Sequence, residues 1–162
     1  MIFNHPHNEC KHPKMHYLIE ILSLFLIGGA VYVGIELLWR GYSHWSMFIV
    51  GGLAFLAIGG INNYFFDYKI GMIPQMIIGG ISVDIIEFIA GVILNIWLKL
   101  DIWDYSDLAF NILGQVSLPF TFAWMGLSFI SIVVDDQIRY ILFGEPKVHY
   151  HWFWCDCKDK DI

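Results

Sequence analysis

Asp84 and Glu87 stand inside GGISVDIIEFIAGVILNIW (79–97), a run otherwise composed of residues suited to hydrocarbon. Near the centre of a bilayer-spanning helix a carboxylate costs about 2.5–3.5 kcal/mol, while each Leu, Ile, Phe or Val returns about 0.3–0.6 kcal/mol. The apolar residues of the run barely offset two acids facing lipid, so both are expected to face protein. Helical spacing allows this, because Gly80, Asp84, Glu87, Gly91 and Asn95 recur at intervals of three or four and share one face. On such a face the two acids are candidates for a proton- or cation-binding site. The alternative is that they are neutral carboxyls, hydrogen-bonded to Asn95, Asn62 or serines of a neighbouring helix.

A second polar stripe with the same spacing runs through Ser117, Thr121, Trp124, Ser128, Ser131 and Asp135, and the two stripes are available to face each other. Asp135 precedes Arg139 by four residues and Glu36 precedes Arg40 by four, the favourable order for helical ion pairs. Both pairs read as helix-end anchors. The segment KLDIWDYSDLAFN (99–111) interleaves Trp103, Tyr105 and Phe110 with Asp101, Asp104 and Asp107, acids able to attract a cation. Aromatics mixed with acids suit the headgroup layer, and the segment reads as interfacial or re-entrant.

The ends of the chain carry imidazoles and thiols: His5, His7 and Cys10 near the start, and His149, His151, Cys155 and Cys157 near the end. Together they are weak candidates for a transition-metal site, but their spacing matches no standard zinc motif, so plain flexible tails are the simpler expectation. Disulfides are not expected of tails in the cytoplasm. The sequence contains no phosphate-binding loop, no nucleophile elbow and no H-E-x-x-H helix. No cofactor is encoded by a recognisable motif, and the chain is more readily a non-enzyme. An intramembrane enzyme using Asp84, Glu87, Asp104 or Asp135 lacks a nucleophile and base at a recognisable spacing.

Positioning these residues requires membrane helices. With 57% hydrophobic residues and 15% charged, the 162-residue chain exceeds what a soluble domain of this length tolerates. A net charge of −6 with nine Lys and Arg gives nucleic acid nothing to bind. Four stretches reach the length of a helical crossing, at Tyr17–Trp39, Trp45–Tyr64, Pro74–Leu98 and Ile112–Val134. The expected fold is an all-α membrane protein of about four transmembrane helices, with the interfacial segment before the last. Residues 1–16 form an N-terminal tail, 17–143 the transmembrane domain and 144–162 a C-terminal tail. Lys11, Lys14, Lys69, Arg139, Lys147, Lys158 and Lys160 fall on one side and Arg40 and Lys99 on the other, which places both termini in the cytoplasm. IGGAVYVGIELL from Ile27 and IGGISVDIIEFI from Ile78 share Ile-Gly-Gly and Ile-Glu at an offset of 51, a hint of a duplicated two-helix unit that makes Glu36 and Glu87 counterparts.

Several segments also carry a family resemblance: GIELLWRG, GGLAFLAIGGINN, EFIAGVILNIWLKLDIWDYSDLAFNILGQVSLPF and VVDDQIRYILFGE. Over Gly34 to Glu145 the chain resembles the bacterial membrane family called putative ABC-transporter type IV, or CmpB-like ABC transporter permeases. The most specific part joins Asn95, Trp97 and Leu98 to Trp103–Ser106 and then to Phe110, Asn111, Gly114 and Gln115. Asn63 and Ala109 depart from the expected pattern. The resemblance implies a small permease-like subunit in the bacterial cytoplasmic membrane, served by a separate ATPase subunit, with homo-oligomers as a further expectation. Asp84, Glu87, Asn95, Asp104, Asn111 and Gln115 are the candidate substrate or ion path. The main alternative is an accessory or scaffold protein that transports nothing, its glycine faces serving helix association.

Overall fold

The structure, a computed structural model, describes residues 14–61, 70–145 and 147–153. Four α-helices dominate it: α1 (Lys14–Arg40), α2 (Trp45–Gly60), α3 (Met72–Gly91) and α4 (Leu118–Ile138). Wider π-helical turns extend α3 over Val92–Trp97 and α4 over Arg139–Phe143. Three spans, Tyr17–Arg40, Met72–Trp97 and Leu118–Phe143, are long and apolar enough to cross a bilayer, and α2 is a shorter apolar helix. The protein is an all-α membrane protein.

Local signals set the helix ends. α1 stops where Gly41 takes the left-handed conformation (φ +76°) and its amide donates to the Leu37 carbonyl at 3.0 Å. His44 caps α2, its Nδ1 accepting from the Ser46 amide at 3.3 Å. Pro74 lies in the first turn of α3 and Pro119 in that of α4, where an absent N–H does no harm.

α2 is the central helix. On one side it meets α1, where Gly28 lies directly against the Phe55 side chain and Gly51 against Tyr32. On the other, Ala54 and Ile58 pack with Met72, Val83 and Ile132 of α3 and α4. α3 seats α4 as α1 seats α2, with Gly79 against Ser128 and Gly80 against Met125. The two Ile-Gly-Gly sequences therefore do the same packing job.

Between α3 and α4 the chain forms a short antiparallel hairpin, β1 (Asn111–Ile112) and β2 (Val116–Ser117), pairing Asn111 with Ser117 and Ile112 with Val116. The fourth crossing expected from Ile112 thus begins six residues later, at Leu118. Its apolar run is interrupted because Phe110, Leu113 and Gly114 adopt positive φ and turn the backbone. The 98–117 segment folds back over the end of the bundle where α1 ends and α2 begins. There Ile102 and Trp103 pack with Met47 and Val50. Trp103, read from sequence as a headgroup aromatic, is instead part of the core, and Phe110 is the exposed one.

The chain after α4 also departs from the plain tail expected of it. The carbonyls of His151 and Trp152 accept from the Met72 and Ile73 amides at 2.7 and 3.2 Å, satisfying orphan donors of the first turn of α3. Gly71 lies directly against the Phe153 backbone, and Trp152 stacks on Phe129 with ring centroids 6.3 Å apart.

Candidate functional site

The polar faces of α3 and α4 meet. Thr121 Oγ1 donates to Asp84 Oδ2 at 2.6 Å, and Trp124 Nε1 donates to Glu87 Oε2 at 2.8 Å. Glu87 is 1% exposed, whereas Asp84 is half-buried. Tyr32 of α1 lies beside Glu87 and stacks on Trp124, ring centroids 6.0 Å apart. Phe120 continues the aromatic wall, 6.5 Å from Trp124 and 4.4 Å from Tyr105. Burial pushes the Tyr105 hydroxyl above the ordinary phenol range, so it remains a hydrogen-bond donor.

Among the described residues no cationic side chain forms an ion pair with Asp84 or Glu87; each carboxyl is held by neutral donors alone. A buried carboxyl in that setting takes its compensating charge from outside, as a proton or a cation, or stays neutral. Asp84 Oδ1 is buried without a hydrogen-bond partner.

Asn95 and Gln115 are brought together, but to hold the hairpin. The π turn carries Asn95 toward it, and Asn95 Nδ2 donates to the Trp103 carbonyl at 2.9 Å and to Gln115 Oε1 at 2.8 Å. Asn95 Oδ1 accepts from the Ile102 amide at 2.8 Å. Trp103 Nε1 donates to the Gln115 carbonyl at 3.0 Å, and Gly91 gives Gln115 the room to sit against α3. Asp104 and Asn111 lie farther along the hairpin. Asp104 Oδ1 accepts from the Ser106 amide at 2.8 Å, and Asn111 Nδ2 donates to the Ser106 and Leu108 carbonyls at 3.0 and 2.9 Å. The Ser106 hydroxyl and then its amide hold the Asp104 carboxyl below its usual value. These four polar residues have their hydrogen bonds filled by the hairpin itself.

Both i,i+4 ion pairs form. Arg40 Nη2 reaches Glu36 Oε1 at 2.5 Å, Ser43 Oγ donates to Glu36 Oε2 at 2.5 Å, and Arg40 Nη1 donates to the Ile102 carbonyl at 3.0 Å. This pair therefore ties α1 to the hairpin. Although Glu36 and Glu87 correspond in the Ile-Gly-Gly comparison, their partners differ in kind. At the opposite end of the bundle Arg139 Nε donates to Asp135 Oδ2 at 2.7 Å, and Arg139 also pairs with Glu20 of α1. Glu145 approaches the same guanidinium at 3.7 Å, and Tyr150 donates to Asp136 Oδ2 at 2.9 Å. Burial, followed by the Asp136 carboxylate, raises Tyr150 above the ordinary phenol range.

Sequence reasoning missed Glu20 as a partner of Arg139, Tyr32 as a neighbour of Glu87 and Tyr150 as a partner of Asp136. Tyr32 lies on α1 four residues before Glu36, a spacing that hinted at a shared face; Glu20 and Tyr150 had no local signal. Of the residues weighed as metal ligands, His5, His7, Cys10, Cys155 and Cys157 lie outside the described residues. His149 and His151 are exposed, and no group of three or more metal-ligating side chains occurs among the described residues.

A family model described as "Putative ABC-transporter type IV" matches residues 24–154, starting within α1. No curated protein and no solved structure matches the chain.

Proposed function

Since the chain belongs to the family described as "Putative ABC-transporter type IV", we propose that it is the membrane-embedded, permease-like subunit of an ATP-driven transport system. A separate ATPase subunit supplies the energy, because no phosphate-binding loop is present in the sequence. The host membrane on this reading is the bacterial cytoplasmic membrane, with both termini inside, as the distribution of Lys and Arg favours.

One observation carries the reading: Asp84 and Glu87 are held at the α3–α4 seam with no cationic partner among the described residues, although the same fold supplies arginines to Glu36 and Asp135. Acids at membrane depth without a counter-ion mark a path for protons or cations. The hydrogen bonds of Asn95, Gln115, Asp104 and Asn111 leave those residues the task of holding the hairpin over the bundle end. The working part of the path therefore narrows to Asp84 and Glu87, with Thr121 and Trp124 positioning them.

The scaffold reading has its own support in the glycine seats at Gly28, Gly79 and Gly91, which explain much of the small and polar face by packing alone. Affinity purification from the native membrane separates the two. An ATPase subunit that remains bound supports transport, and its absence together with a cross-linkable homo-oligomer supports the scaffold. Orientation is tested with an impermeant thiol reagent on intact cells. Cys10, Cys155 and Cys157 should be protected and a cysteine introduced at Ser106 labelled, and the reverse pattern inverts the topology.

A further inference from the structure

A groove of about 500 Å³ runs between α3, the hairpin and the start of α4. Its mouth is apolar, formed by side chains such as Ile81, Ile85 and Phe110, which are 47%, 55% and 81% exposed. On a membrane-spanning helix this face meets acyl chains. Its wall nevertheless includes Asp84, Ser117 and Thr121. Asp84 Oδ1 and Ser117 Oγ are both buried without a hydrogen-bond partner, and Ser117 is only 2% exposed. These two unsatisfied polar atoms lie just beneath the groove wall, on lining residues of different elements, and are costly while unpaired.

We infer that this groove binds an amphiphile with a single primary ammonium group, its alkyl body lying along Ile85 and Phe110 and its ammonium at Asp84 and Ser117. The carboxylate provides the opposite charge, and the Ser117 hydroxyl oxygen accepts a second N–H. Thr121 is a positioning residue, its hydroxyl holding Asp84 Oδ2. Among the described residues the groove lining holds no Lys or Arg. An anionic amphiphile therefore meets uncompensated like charge, a phosphate-bearing zwitterion lacks a partner for its phosphate, and a neutral alcohol leaves the carboxylate without a counter-charge. The inference rests on Asp84 belonging to the working face of α3 and adds the class of ligand.

The test titrates purified protein in a non-ionic detergent with dodecylamine, dodecanol and dodecanoate at about pH 7, counting bound molecules by native mass spectrometry. Saturable one-to-one binding of dodecylammonium is expected, with dodecanol and dodecanoate about tenfold weaker or more, the scale of a charge-assisted contact. Asp84→Asn should weaken dodecylammonium binding to a similar degree. Ile85→Trp, at an exposed position, fills the mouth and should also weaken it, so the test survives if the Asp84 variant fails to fold. Glu87→Gln should bind normally even where it stops transport, which separates this inference from the transport reading. Absence of saturable dodecylammonium binding, equal binding of the three amphiphiles, or Ile85→Trp binding as wild type overturns the inference.

Discussion

Around Arg139, Asp135 and Glu20 meet a guanidinium, and Asp135 lies directly against Gly59 in a fully packed setting. About four to five turns before Arg139, Thr121 and Trp124 offer Asp84 and Glu87 neutral donors alone. Glu87 is as buried at its helix seam as Asp135 and Glu20, with Asp84 half-buried beside it, so burial alone does not separate the two groups; the presence of an internal cation does. A buried acid with its own arginine has its charge compensated within the fold, even though Asp135 Oδ1, like Asp84 Oδ1, has no hydrogen-bond partner, and the ion pairs bind elements together, here α1 to α4. An acid given only hydroxyl and indole donors is positioned but left electrically open, which suits a group that gains and loses a proton or cation.

The harshest way to break the contrast is Arg139→Ala, which leaves Asp135 and Glu20 buried without the guanidinium that both contact. A loss of about 3–5 kcal/mol is expected, read as poor accumulation or a large drop in thermal midpoint in detergent. Glu87→Gln keeps the shape of the side chain, and a shift within about 1 kcal/mol is expected. Equal destabilisation by the two substitutions would erase the distinction between the two groups.

Asn95→Ala tests a middle rank. It removes the donor to the Trp103 carbonyl and the acceptor of the Ile102 amide, and about 1–3 kcal/mol should be lost for the groups left unpaired. Amide hydrogen exchange should rise within 98–117 while the helices stay protected. Uniform exchange across the chain would show that the hairpin is not held chiefly through Asn95.

The ion pairs Glu36–Arg40 and Asp135–Arg139 and the meeting of the two polar stripes were legible because each follows from helical spacing. Partners that come from distant chain were not: Glu20 reaches Arg139 across 119 residues. The capping of α3 by His151 and Trp152 uses main-chain carbonyls, which every residue has, so side-chain chemistry gave no notice of it. Likewise the start of α4 was hidden in an apolar run, because Phe110 and Leu113 take positive φ without being glycines and Gly114 alone marked the turn.

The smallest expected effect is at Asp104, fully exposed on the hairpin. The Ser106 hydroxyl and amide lower its carboxyl below the usual value, so the folded value lies under the unfolded one. Its stabilising contribution is present above the unfolded value and is lost as pH falls through the folded one. The protection of the Ser106 amide, measured against the exchange rate of an unstructured amide at the same pH, should fall in that acidic window in the wild type, and Asp104→Asn should flatten the pH dependence.

The most direct test of the electrically open pair uses vesicles reconstituted with the complex purified from its native membrane, containing a trapped pH indicator and supplied with ATP or an imposed pH gradient. Wild-type protein should move protons, and the Asp84→Asn, Glu87→Gln double variant should not, while keeping its hairpin protection and a thermal midpoint close to wild type. Full proton movement by the double variant would contradict the account and assign the two acids to packing.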